Sequence, residues 1–293
     1  MFIKFSIYCY LIICIIFHLY TVYIINLLYI RIMFSIYNSI SEKNRPLVMG
    51  ILNVTPDSFF EAGKSFFAES AFNRALQIES DGADIIDIGG CSTSPGKSFA
   101  SFEEELSRLK TVLPLIPDTV NIPVSVDTFR PEIAKFALEN GVVIVNDESG
   151  VFSKEMASLV KEYNANWIFM HTGNKTSSEV AVYENGVVEN VLEFFKSMKE
   201  QALNYGIAED KLCFDYGIGF GKTREDDLTL LMNTDAFSDY KPLLVGVSNK
   251  RVVGQATGRE VDERLFGTVS AESVSVFLGA GVIRTHNVKA CVD

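Results

Sequence analysis

The sequence is poor in cysteine, has no excess of positive charge, and lacks both common glycine-rich nucleotide signatures. The five cysteines lie at 9, 14, 91, 213 and 291. No pair has zinc-ligand spacing and nothing suggests a disulfide framework, so a reducing compartment fits best. The formal net charge is -11, which argues against non-specific binding to nucleic acid or another polyanion. The phrase FDYGIGFGKTRED (214–226) contains a GKT, but a P-loop needs four residues between its first glycine and the Gly-Lys pair. Counting from Gly217 leaves one residue too few, and Asp215 stands where a P-loop strand is apolar. The phrase is predicted as a flexible loop at the end of a strand, with Asp215 as its chemical residue. The residues after the first strand, TPDSFFEAG, are not a dinucleotide fingerprint.

Residues 1–45 lack Gly, Ala and Pro altogether and are dominated by Ile, Tyr, Phe and Leu. The stretch 5–30 carries no formal charge and is long enough to span a bilayer. It is too long for a secretory signal and has no small-residue exit. Two readings stand: a membrane anchor, or translated AT-rich upstream DNA with Met33 as an internal start. The composition favours the second. The expected organisation is an apolar segment, 1–45, before a single domain, 46–293. The expected location is the cytoplasm, with membrane association only if 5–30 is real.

From Val48 onward, short β-branched runs alternate with amphipathic stretches. The runs are VMGILNV (48–54), IIDIGG (85–90), PVSVDT (123–128), VVIVND (142–147), NWIFMH (166–171), KLCFDYG (211–217), PLLVGVS (242–248) and VIRTHN (282–287). Helical patterns fall at about 68–81, 102–114, 130–140, 154–163, 187–205 and 262–279, with a shorter one near 226–233. Alternation this regular implies a parallel sheet. Eight units in this length predict an α/β fold, a (β/α)₈ TIM barrel, over an open doubly wound sheet.

Each run starts apolar and ends polar: Asn53, Gly89-Gly90 leading to Thr93, Asp127, Asn146-Asp147, His171, Asp215, Ser248 with Lys250 beyond, and Arg284 with His286. In a parallel barrel these ends converge on one mouth. A flat heterocycle with NH₂ and ring N–H on one edge suits a buried carboxylate such as Asp127 or Asp215. Lys250 and Asn146 suit its ring carbonyl and ring nitrogen. Arg284 and His286, two apart on one strand, face the same side and suit a phosphate or pyrophosphate. Asn53 could help to hold a hard cation such as Mg²⁺. Plainer roles compete: Asp127 and Asp147 as helix caps, Lys250 and Arg251 as solvated cations, His171 as a satisfied buried histidine. Arg284 is harder to dismiss, because charge inside a barrel strand is costly unless used.

MGILNVTPDSF (49–59), GADIIDIGG followed by ST (82–93), VSVDT (124–128), FDYGIGFGKT (214–223), LLVGVSNK (243–250) and IRTHNV (283–288) together resemble dihydropteroate synthase, in the right order from about Val48 to the end. The resemblance implies an enzyme of folate biosynthesis that condenses 6-hydroxymethyl-7,8-dihydropterin pyrophosphate with p-aminobenzoate, assisted by Mg²⁺ and acting as a homodimer. It implies a pterin pocket of Asp127, Asn146, Met170, Asp215 and Lys250, with Asp127, Asp215 and Lys250 catalytic. It also implies pyrophosphate contacts from Thr93, Arg284 and His286, and a metal contact from Asn53. Two alternatives are a catalytically altered pterin-binding paralogue and a pterin-dependent methyltransferase domain.

Several loop positions depart from the family phrases. Glu61 replaces an Asp, Cys91 a Glu, Ser94 an Arg, Asn249 an Arg and Arg251 a Ser; Tyr216 and Asn287 also differ. Glu61, Ser94 and Arg251 fall where the family handles p-aminobenzoate, so altered handling of that substrate is expected. The chain stops seven residues past His286, so the last barrel helix is expected to be truncated.

Overall fold

The computed structural model describes residues 33–54, 64–91 and 100–293, with side chains from residue 68 in the helix that begins at 64. Eight parallel strands close into a barrel in sequential order. They are β1 Leu47–Asn53, β2 Ile85–Gly89, β3 Val124–Asp127, β4 Ile144–Asp147, β5 Asn166–Met170, β6 Leu212–Asp215, β7 Leu243–Val245 and β8 Val282–Thr285. Closure is made by β1 pairing β8, with Leu47 opposite Val282 and Met49 opposite Arg284. The helices of the outer ring are α2 Lys64–Ser80, α3 Phe102–Val112, α4 Pro131–Glu139, α5 Lys154–Glu162, α6 Val187–Tyr205, α7 Arg224–Met232, α8 Arg251–Thr257, α9 Leu265–Phe277 and α10 Val288–Val292. The predicted barrel is therefore the observed one. The short α8 has no counterpart among the predicted helices, and the expected helix over 262–279 is the shorter α9.

Local sequence explains the helix starts. Ser101 accepts from the Glu104 N–H while the Glu104 side chain returns to the Ser101 N–H, a reciprocal cap on α3. Thr223 and Asp226 do the same for α7. Outward strand residues pack beneath the ring of helices: Val126, Val145, Trp167, Phe169, Phe214 and Val245 belong to one buried apolar cluster. Inward residues form a second, at the lower end of the barrel, from Met49, Ile85, Ile144, Ile168, Leu244 and Val282. Alternate residues along each strand face inward, and the inward set turns polar toward the C-terminal ends.

The lower end is closed by an element that precedes the first strand. Helix α1, Ile36–Lys43, is capped by Ser35 and inserts Ile36 into the inward cluster. The Asn166 amide binds both sides of the entry, accepting from the Ile36 N–H and donating to Phe34 O. Lys43 and Arg45 both pair with Asp84, which also accepts from the Val48 N–H. Burial would push the Asp84 carboxyl up, but hydrogen bonds from Arg45 and Lys43 outweigh it and hold it below its ordinary value. Residues 34–45 thus pack on the barrel, although they lie before the boundary set at 46. Residues 5–30, the possible anchor, lie outside the described residues. No helix among the described residues is long and apolar enough to cross a membrane.

Helix α9 departs from its expected packing. The apolar stripe Leu265, Val269, Val274, Phe277 and Leu278 predicts that this face packs mostly into the barrel core. Instead the buried residues of α9 are Thr268, Glu272 and Ser275. Phe277 is 87% exposed and Phe266 83%, with Val274 and Val276 beside them. Periodicity locates an apolar stripe but not which surface covers it.

Candidate active site

The upper ends of the strands surround a cavity of about 450 Å³ whose wall includes Asn53, Asp127, Glu148, Lys250, Arg284 and His286. This is the convergence expected from the strand ends. Asp127 ends β3 and Arg284 lies in β8. The Arg284 guanidinium reaches across the barrel, donating from Nε to Asp87 Oδ2 at 2.7 Å and from Nη2 to Asp127 Oδ2 at 2.6 Å. Asn146 Nδ2 donates to the same Asp87 oxygen at 3.1 Å. Burial pulls Arg284 toward deprotonation, but Asp87 and Asp127 overcome it and hold its pKa above the ordinary value. Burial pushes the Asp127 carboxyl well above its usual range, Glu148 adds to this, and Arg284 opposes it.

Asp215 and Lys250 are a second acid and cation of the site, acting on each other through space. Burial pushes Asp215 up and Lys250 down, toward their neutral forms, and each opposes that shift in the other. Lys250 sits at the start of α8, donates to Ile218 O at 2.6 Å and lies 5.1 Å from the centre of the Phe220 ring. Asp215, Asn146 and Met170 are buried under the cavity rather than exposed in its wall. They are inward positions on β6, β4 and β5, with Met170 paired to Asp215.

The glycine-rich phrase after β6 is tied down rather than free. Lys222 is fully buried, and its ammonium donates to His171 O, Gly217 O and Phe220 O at 2.9–3.0 Å. A Cβ on Gly217 would stand 2.1 Å from His171 O, and its φ is +65°, so only glycine fits. The lysine of the GKT therefore faces inward as a staple, and the phrase cradles no phosphate. Burial lowers its pKa to about 7, against the pull of Asp227 and Asp215.

At the other end of the cavity, Ser248 holds His286. Its Oγ accepts from the His286 N–H at 3.1 Å and lies 3.0 Å from Nδ1, which leaves Nε2 as the nitrogen for a ligand. Burial first, then Arg284, Lys250 and Arg74, lower the His286 pKa to about 4, so the ring is neutral at pH 7. Three cations around a neutral imidazole make this the anion-attracting end. Asn53 flanks the same space: a Cβ on Gly89 would stand 3.6 Å from Asn53 Oδ1 and 3.7 Å from Asp127 Oδ2. Arg251 also lines the cavity and donates to Lys222 O at 3.2 Å.

His171 lies apart from this group. Its Nε2 meets Asn190 Oδ1 at 2.9 Å, and burial lowers its pKa to about 3, which is the buried-histidine reading. Asp147 likewise turns away, accepting from the Trp167 indole N–H and the Ser149 N–H. Thr93, Glu61 and Ser94 lie outside the described residues.

Asp87, Lys222 and Glu148 were not picked out from the sequence as site residues. For Asp87 the signal was present: a carboxylate inside the apolar run IIDIG is as costly as the arginine in VIRT, and the two neutralise each other.

A profile of the family described as "Pterin binding enzyme" matches residues 49–286. The dihydropteroate synthase of Clostridium beijerinckii is 36% identical over 247 residues, covering 83% of this chain and 90% of that protein. That of Bacillus subtilis is 35% identical over 254 residues, covering 86% and 87%. Among solved structures, the Xanthomonas albilineans dihydropteroate synthase with 4-aminobenzoic acid superposes with a TM-score of 0.80 at 36% identity, covering 85% of this chain and 90% of that one. The same enzyme in complex with 7,8-dihydropteroate gives 0.75 at 34%, covering 85% and 91%. With its closed barrel and its carboxylate-lined mouth, the chain belongs to the pterin binding enzyme family.

Proposed function

We propose that the chain is a dihydropteroate synthase, joining 6-hydroxymethyl-7,8-dihydropterin pyrophosphate to p-aminobenzoate and releasing pyrophosphate. The observation that carries this is one cavity whose wall brings together Asp127, Lys250, Arg284 and His286, with Asp215 and Asn146 buried beneath it. The relatives' identity over most of both chains supports the same reading. A pterin-dependent methyltransferase would have no diphosphate to hold and leaves Arg284 with His286 unexplained.

In this reading Asp215 and Asp127 accept hydrogen bonds from the pterin amino and ring N–H groups, and Lys250 donates to the ring carbonyl. Asn146, fixed by Asp87, and Met170 complete the floor. The bond between the pterin methylene carbon and the diphosphate oxygen breaks first, and its electron pair leaves with the oxygen. Arg284 and His286 face the departing diphosphate, while the two carboxylates stabilise the positive charge left on the pterin. The amine of p-aminobenzoate then forms the C–N bond and loses a proton. Arg251 supplies a positive charge for the p-aminobenzoate carboxylate; Glu61 and Ser94 are assigned to the same substrate and Thr93 to the diphosphate.

Mg²⁺ is part of the proposal. Among the described residues no group of three or more His, Cys, Asp or Glu side chains could hold a metal ion alone. The single amide oxygen of Asn53 fits an ion that arrives on the diphosphate, since Mg²⁺ keeps several waters and takes few protein oxygens. When bound, it would neutralise charge on the leaving group.

The exposed apolar face of α9 supports a homodimer in which Phe266 and Phe277 are covered by a second copy. The free thiols of Cys91, Cys213 and Cys291 support a cytoplasmic location. The test of function is pyrophosphate release with and without p-aminobenzoate. Release that depends on the amine is expected; a purified protein that binds the pterin pyrophosphate and never releases pyrophosphate overturns the reading.

A further inference from the structure

The described site contains one more acidic side chain than the pterin and diphosphate account for. Glu148 follows β4 directly. Asn146 points inward to Asp87, Asp147 points outward to Trp167, and Glu148 stands in the turn that follows. There it forms part of the cavity wall shared with Asp127, Lys250 and Arg284. On its other side, Lys175 and Glu179 line a neighbouring opening, and Phe220 separates the two spaces.

We propose that Glu148 is a further catalytic carboxylate, facing the pterin end of the cavity and stabilising the positive charge that develops on the pterin as the diphosphate leaves. The inference rests on the synthase reading and adds a residue to it. The substrate carries its negative charge on the diphosphate and little on the ring. Charge separates only as the C–O bond breaks, so a carboxylate near the ring acts more strongly on the transition state than on the bound substrate. The electrostatic surroundings agree. Glu148 is the largest charged contributor to the upward shift of Asp127, and it also acts on Arg284 and Lys250. The other charged groups facing Asp127 are Asp87 from β2, Glu105 from α3 and Arg284 from β8. The Cys91 thiol beyond β2 also lies within its field.

The experiment compares Glu148→Gln and Glu148→Asp with the unaltered chain, by steady-state pyrophosphate release and by calorimetry with the pterin pyrophosphate. Glu148→Gln is expected to lower kcat by about ten- to hundredfold, the effect of one charge a few ångströms away in a partly wet cavity. KM for both substrates should stay within about twofold, the pattern of an interaction made in the transition state. Glu148→Asp should recover most of the rate. With one like charge removed, Asp127 deprotonates more easily, so the acid limb of kcat/KM should move to lower pH in Glu148→Gln. A merely structural role would not move that limb. An unchanged kcat and acid limb, or a Glu148→Asp variant as slow as Glu148→Gln, overturns the proposal. If the unaltered chain binds the pterin pyrophosphate but never turns over, the synthase reading fails. The Glu148 claim is then decided by binding of a pterin protonated to its cation, which Glu148→Gln should bind at least fivefold more weakly and the neutral pterin equally. Equal binding of both forms rejects it.

Discussion

Arg284 joins two carboxylates that come from different strands: its Nε holds Asp87 and its Nη2, 2.6 Å from Oδ2, holds Asp127. One guanidinium thus fixes the pterin-side acid and stands beside the imidazole proposed for the diphosphate. Removing it leaves two acids without their shared cation. Arg284→Met is expected to destabilise the fold by about 3–5 kcal/mol, the cost of breaking a buried pair from one side. Arg284→Lys keeps the charge but cannot bridge both acids, and should fall between. Urea unfolding of the three proteins measures this.

Lys222 makes a prediction about alkaline stability. Its folded pKa is about 7 and its ordinary value 10.5, so between these pH values the unfolded chain binds the extra proton. Stability therefore rises with pH across that window as far as this group is concerned. Lys222→Met should remove that rise and, by stranding three carbonyls, cost about 2–4 kcal/mol. Unfolding midpoints at pH 7 and pH 9 test both.

The two buried histidines act at the acid side. His171 and His286 have folded pKa values of about 3 and about 4 against an ordinary 6.5. The unfolded chain takes up these protons first, so stability falls as pH drops from about 6.5 toward 4. His171→Gln should flatten part of the fall without changing pyrophosphate release. Thermal midpoints measured across this range check it.

An inorganic pyrophosphate bound at His286 should raise that imidazole's pKa and draw in a proton. Calorimetry in two buffers of different ionisation enthalpy is expected to show greater net proton uptake at pH 6 than in His286→Asn, where only the proton exchange of the pyrophosphate itself remains.

The surface of α9 predicts association. Phe277→Asp and Phe266→Asp together should convert a dimer to monomers in analytical ultracentrifugation. Both side chains are exposed, so each change should cost the isolated chain less than about 0.5 kcal/mol.

What the sequence revealed follows the physics of each signal. The strands were legible because VMGILNV, IIDIGG and VIRTHN are short, β-branched and bounded. Their polar ends were legible because a barrel gathers them at one mouth. The packing of α9 was not, because an apolar stripe looks the same whether a barrel or another molecule covers it. The role of Lys222 was not legible, since excluding a P-loop leaves a lysine in a flexible loop, whereas the positive φ values of Gly217, Gly219 and Gly221 turn it inward. Glu148 was passed over because it follows an Asp-containing strand end and reads as the start of a loop. Helix α8 was missed because its seven residues, RVVGQAT, carry too few turns for a periodic pattern.

The stopper formed by α1 has a consequence for biosynthesis. Ile36 is held by Asn166, 130 positions later, and Ser35 donates to Asp210 O, 175 positions later. The first described residues to leave the ribosome thus acquire their seat only after two-thirds of the barrel has been made. Until then Ile36 remains wet, and a nascent chain arrested before β6 should leave its amide open to rapid deuterium exchange, while the full-length chain protects it.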